Sequence, residues 1–159
     1  MSKYTLAAEI RELLNRADSV KTLALLAEDG SPYVIFVPGL HVDDDGRLVY
    51  PEAFEHSQAN AHLVRSIWFD QPITAALLAA DGRSFQIFCK PYKAVISGPV
   101  YEHYYRQKQQ RNENFSLSTI WLIDPLSITE TSDAVRGVES ESDRMPLLHL
   151  DRIAVKAVG

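Results

Sequence analysis

Three Asp-Gly pairs constrain the fold of this chain more than any other feature of its sequence. They lie in "AEDGSP", "DDDGRL" and "AADGRS", each between apolar segments rich in strand-forming residues. Asp and Gly tolerate the positive φ that tight hairpin turns impose, so each pair marks a reversal between neighbouring strands. Three such reversals in 159 residues predict an antiparallel sheet.

The strands follow from the turns. "TLALLA" is expected to pair with "YVIFVPGLHV" across Gly30, and the latter with "RLVY" across Asp43–Gly46. "ITAALLAA" and "RSFQIFCKPYKAVISG" form a further hairpin across Asp81-Gly82. Pro91, in the long second arm, has no N–H for a ladder and belongs at an edge, bend or bulge. "FSLSTIWLIDPLSITET" returns to strand character and is expected to be interrupted at Pro125.

Helical spacing occupies the gaps. Leu6, Ile10, Leu13 and Leu14 predict a helix over roughly residues 5–17. "EHSQANAHLVRSIWF" has no β alternation and places Ala59, Leu63 and Ile67 at i, i+4 and i+8. "VYEHYYRQKQQRNEN" reads as a polar helix whose Tyr101, Tyr104 and Tyr105 pack on the sheet with their hydroxyls in water. The tail begins loop-like; residues 139–144 are expected as a surface loop and residues 147–156 as a last strand. The whole is expected to be one mainly β (α+β) domain over residues 1–159, with an N-terminal helix within 1–20 and a C-terminal loop and strand in 139–159. A six-stranded antiparallel sheet of this kind leaves exposed edges. Closure into a split β-barrel with flanking helices removes most of them.

Charge and composition narrow the function. With a formal net charge of −5, general nucleic-acid affinity is not expected, and the basic Arg106, Lys108 and Arg111 read as a solvated helix face. Cys89 is the single cysteine, so no intrachain disulfide forms; within "SFQIFC" it reads as a small buried hydrophobe. "MSKYTLAAEIRELL" lacks the apolar core of a signal peptide, and no apolar run approaches the roughly 20 residues that span a bilayer. A cytoplasmic protein without membrane contact is expected. His56 and His62, six apart, do not share a helix face, so no metal pair is expected there. Asp43, Asp44 and Asp45 read as a turn rather than a cation site. His149 and Asp151 would face one side of the last strand and serve surface hydrogen bonding. No nucleophile–base order, P-loop or G-x-G-x-x-G motif occurs, and no catalytic residue emerges.

"FEHSQANAHLVR", residues 54–65, leaves two readings open. Ser57 is placed to cap a helix by accepting a backbone N–H. The same helix start, with Ser57, Gln58 and Asn60, offers unpaired amides and a positive dipole end to a phosphate.

The order of these segments resembles the flavin-binding split-barrel family that includes pyridoxamine 5′-phosphate oxidase, over roughly residues 5–130. "TLALLAEDGSPYVIFV" is similar to the family's first hairpin and "DDDGRLVYPE" to its second turn and third strand. "HSQANAHLVRSIWFDQPITAALL" resembles its S-x-K-x-x-N-L…N-P-x-x-A pattern, and "RSFQIFCKPYKAVISG" its long fifth strand.

The resemblance implies a homodimer with FMN at the subunit interface and an oxidoreductase role toward a small-molecule substrate. It implies that the phosphate lies at the end of strand three, by Tyr50 and Pro51, and at the helix start with Ser57, Gln58 and Asn60. The flavin ring would rest against Val37, Pro38 and Gly39, Gln86 would approach its edge, and Trp121 would wall the pocket.

Three departures bear on affinity. Gln58 stands where the family commonly has Lys or Arg, "YVIFVPGLHV" holds no basic residue, and Pro51 offers neither N–H nor hydroxyl. Losing a charge-assisted hydrogen bond costs on the order of 1–2 kcal/mol, about tenfold in affinity. Arg47, Arg65 and Arg83 are the cations that could compensate. Two alternatives therefore stay open: a cofactor-free split-barrel binding or regulatory module, and a haem-binding split barrel with a histidine ligand. F420 is a further candidate ligand.

Overall fold

In the computed structural model, which describes residues 4–112, 114–138 and 140, the three Asp-Gly pairs sit in hairpin turns. Gly30, Gly46 and Gly82 have φ of 83°, 83° and 92°, conformations that a Cβ would disfavour. The aspartates fasten the same turns. Asp29 Oδ1 accepts the Ser31 N–H at 2.9 Å, Asp81 Oδ1 the Arg83 N–H at 3.0 Å, and Asp43 Oδ1 the Asp45 and Arg47 N–H groups at 2.9 Å.

The strands are β1 (Val20–Leu26), β2 (Pro32–Phe36), β3 (His41–Val42), β4 (Leu48–Glu52), β5 (Ile73–Leu78), β6 (Ser84–Val95) and β7 (Thr119–Glu130). They form one sheet in the order β2-β1-β5-β6-β7-β4-β3, antiparallel throughout. The count among the described residues is seven rather than the expected six, because "YVIFVPGLHV" is two strands. Pro38 supplies no ladder N–H, and the Leu40 N–H turns back to the Val37 carbonyl at 2.9 Å. The broken halves then pair at opposite edges, β2 with β1 and β3 with β4.

That break curls the sheet. Seven strands laid flat would separate the two edges by roughly 29 Å. The link from Phe36 to His41 reaches at most about 18 Å fully extended. The edges therefore approach one another, and the sheet rolls into a split barrel around Leu23, Leu25, Leu77, Ile87 and Ile123.

Both prolines of the long strands sit at irregularities. Tyr92 is the extra residue beside Pro91, where β6 slips against β7, and Leu126 is the extra residue after Pro125. Pro91 thus occupies a bulge, as expected. Pro125 does not interrupt its strand as expected; β7 runs through it from Thr119 to Glu130. Cys89 is fully buried, and burial pushes its thiol up to about 12.

The helices α1 (Ala8–Asn15), α2 (Gln58–Trp68) and α3 (Pro99–Arg111) flank the barrel. α1 is shorter than its apolar spacing predicts and buries Ile10, Leu13 and Leu14. α2 lies against β1 and β6, with Ala59 and Leu63 inward. Residues 133–138 are helical rather than loop-like. The expected loop at 139–144 (residue 140 apart) and the expected strand at 147–156, with His149 and Asp151, lie outside the described residues. Among the described residues, no helix is long and apolar enough to cross a membrane, and no group of three or more His, Cys, Asp or Glu is placed to hold a metal.

Candidate ligand site

The start of α2 is built by its own side chains. Ser57 has the extended backbone of an N-cap, and its Oγ accepts the Asn60 N–H at 3.0 Å. Asn60 in turn donates from Nδ2 to the Glu55 carbonyl at 2.8 Å, and its Oδ1 accepts the Trp121 indole N–H at 2.8 Å. Trp121, on β7, is only 1 % exposed, so this bond satisfies a buried donor and locks α2 to the barrel. With the Ala61 N–H on the Ser57 carbonyl, the amides of Gln58 and Ala59 are the unspent donors of the first turn.

Beside this helix start lies a cavity of about 1210 Å³. Phe54, Glu55, His56, Ser57 and Asn60 form one wall, Ala94 and Ile96 of the β6 end another, and Tyr105, Phe115 and Trp121 a third. The Tyr105 and Phe115 rings meet edge-to-face at 4.7 Å. These walls suit a planar aromatic group, and the adjoining start of α2, from which Ser57 and Asn60 line the cavity, suits an anion. No Lys or Arg lines the cavity among the described residues, so a phosphate here meets a helix dipole and neutral donors.

A buried pair stands behind the cavity. The Tyr50 hydroxyl donates to Glu52 Oε2 at 2.6 Å, and Glu52 Oε1 accepts the Phe54 N–H at 3.1 Å. Burial first, and then the Glu52 carboxylate, push the Tyr50 phenol well above its ordinary range, so it stays a donor. Glu52 is only 4 % exposed, and its role escaped the sequence reading. The signal was the i, i+2 spacing of Tyr50 and Glu52, which places both on one face of a strand.

The residues expected around a flavin are distributed over the molecule. Ser57, Asn60 and Trp121 meet at this cavity. Pro38, Gly39 and Pro51 line a second one of about 550 Å³, between α1, the β2–β3 link and α3. Val37 and Tyr50 are in the core. Gln58 is exposed on α2. Gln86 is exposed on the outer face of β6, in register with Ala76 and Thr129. Around it the outer face is apolar: Phe36, Val34, Leu78 and Phe88 are all exposed there.

The candidate compensating cations are engaged elsewhere. Arg47 pairs with Asp124 and stacks on Tyr92, Arg83 pairs with Asp81 and Glu9, and Arg65 stacks on Phe69. Two of the three tyrosine hydroxyls of α3 are bonded to protein rather than left to water. Tyr101 donates to the Leu117 carbonyl at 2.7 Å, and the Tyr104 hydroxyl meets His41 Nε2 at 2.9 Å.

A curled antiparallel sheet with an open cavity at a helix start defines a split-barrel protein. No protein-family model matches the chain, and no curated protein matches it. Solved structures do. The chain is similar to HupZ of Group A Streptococcus, with 15% identity, a TM-score of 0.65, and coverage of 81% of this chain and 96% of that one. It is similar to an FMN-binding protein from Syntrophomonas wolfei subsp. wolfei, with 14% identity, a TM-score of 0.59, and coverage of 77% and 83%. An F420 reductase matches at 16% identity and a TM-score of 0.56, over 75% of this chain and 94% of that one. The fold shared with these proteins is the split barrel that the sequence resemblance implied.

Proposed function

We propose that this chain is a flavin-binding split-barrel protein that holds FMN in the cavity at the start of α2. The observation that carries the reading is a cavity with aromatic walls that opens at one helix start, where Ser57 and Asn60 line it. Phe54, Tyr105 and Phe115 contact the ring system, and the Gln58 and Ala59 amides with Ser57 receive the phosphate. Bound FMN supplies hydride and electron transfer, and an oxidoreductase role toward a small molecule follows from that chemistry. The protein's part is to position the ring and to hold water away from it.

Support for a homodimer comes from the outer face of β2, β1, β5 and β6. Phe36 is 76% exposed in the same row as Thr22, Ala76 and Gln86, and Val34, Leu78 and Phe88 are exposed on the same face. A second copy seated there would cover it and bring Gln86 to the ligand of the other subunit, as the family resemblance implies.

Affinity is expected to be weak, since no Lys or Arg lines the cavity among the described residues. The same observation favours a second reading, a binding or regulatory module that uses the barrel without FMN. Thermal unfolding with FMN and with riboflavin separates the two. The flavoprotein reading predicts a rise in melting temperature with both ligands, larger for FMN; no rise with either supports the cofactor-free module.

A further inference from the structure

The second cavity is independent of the first, with which it shares no lining residue. Lys21 of β1 lines it and is 5% exposed. Its Nζ donates to the Leu14 carbonyl at 2.9 Å and to the Leu40 carbonyl at 2.7 Å. The first acceptor belongs to the last turn of α1 and the second to the link that closes the barrel. An ammonium carries three N–H donors, so one is left over. Among the described residues no carboxylate forms an ion pair with Lys21.

The cavity reverses the sign of the chain. In a protein of net charge −5, Arg16, Lys21, Lys108 and Arg111 line it against Asp43 and Asp44. Arg16 is neutralised by Asp18 at 2.8 Å, and Asp43 Oδ1 is occupied by two turn amides. His41 is held between the Gly39 carbonyl, 2.9 Å from Nδ1, and the Tyr104 hydroxyl, 2.9 Å from Nε2. Among the described residues, the lining cations without a carboxylate partner are the buried Lys21 and, on the last turns of α3, Arg111 and Lys108, whose Nζ donates to the Ser116 carbonyl at 3.4 Å.

We infer that this cavity binds a phosphate group, seated on the spare N–H of Lys21 and faced by Arg111 and Lys108 from α3. The anion completes the donor set of a buried ammonium and ties α1, the β2–β3 link and α3 together. Burial lowers the Lys21 pKa, and a bound anion offsets that penalty by favouring the charged form.

The test is a titration of the whole chain with inorganic phosphate at constant ionic strength set by chloride. It is followed by melting temperature and by amide chemical shifts. The expected result is saturable binding, with shifts confined to residues 14–21, 38–44 and 103–111. Arg111→Gln, at an exposed position, is expected to weaken binding severalfold without changing the fold, and Lys21→Met to abolish it. Ser57→Ala, in the first cavity, should leave the phosphate response intact. A response lost in Ser57→Ala would assign the phosphate to α2 and overturn the inference. So would a response absent from the native chain or unchanged in Arg111→Gln.

Discussion

Asn60 and Trp121 show how a residue picked out as a ligand contact can serve the fold. The amide oxygen of Asn60 is the partner of a buried indole N–H, while its amide nitrogen holds the Glu55 carbonyl. Asn60→Ala leaves that indole unsatisfied and should cost about 1–3 kcal/mol, measured by urea unfolding. Cys89 makes the opposite case. Its burial was legible from the apolar run around it, and burial raises its thiol to about 12, far above physiological pH. A thiol reagent at pH 8 should therefore label it only after denaturation, and fast labelling of the native chain would contradict the packing described. Ser57 was readable as a cap because capping is local. The Asn60–Trp121 bond was not, because its partners are 61 positions apart and only the fold joins them. For Lys21 the reason is similar: a lysine inside "VKTLALL" looks like an exposed strand residue until α1 and the link are in place.

Among the elements, the hairpins were the most legible, since Asp-Gly turns carry their own chemistry. They also predict a pH response. Hydrogen bonds from Ser31 hold the Asp29 carboxyl below its usual 3.8, and those from Arg83 do the same for Asp81. The folded state then binds fewer protons than the unfolded one. The stabilisation is present above about pH 4 and is lost as pH falls through the lower folded values. Asp29→Asn and Asp81→Asn should each flatten the acid limb of a stability-against-pH curve, and an unchanged limb would deny the turns this role. The segment "YVIFVPGLHV" was read as one strand because its apolar character continues through Pro38. Nothing local announces that its halves lie at opposite edges; that follows from the order of pairing in the whole sheet.

At the scale of the molecule, the short link between the two edge strands is what makes the sheet a barrel, and Lys21 anchors it. The barrel leaves one cavity at the start of α2 and one apolar face on β2, β1, β5 and β6. If the face is where two copies meet, Phe36→Glu places a charge on it. Light scattering should then report twice the chain mass for the native protein and the single-chain mass for the variant. Single-chain mass for both would remove the dimer from the account. The barrel, its turns and its helix start were readable from sequence; the scatter of the expected flavin residues over two cavities, the core and the surface was not, because it depends on where the β2–β3 link passes.

Whether the start of α2 receives the phosphate of FMN, as proposed, is decided at Gln58. Gln58 is exposed at the first position of the helix, so a basic side chain fits there without disturbing the core. Flavin fluorescence during titration of native chain and Gln58→Lys into FMN measures both affinities. The account predicts saturable binding by both, about tenfold tighter for Gln58→Lys because one charge-assisted hydrogen bond is added. Equal affinities, or no saturable quenching by either protein, would contradict it and leave this helix start as a cap alone.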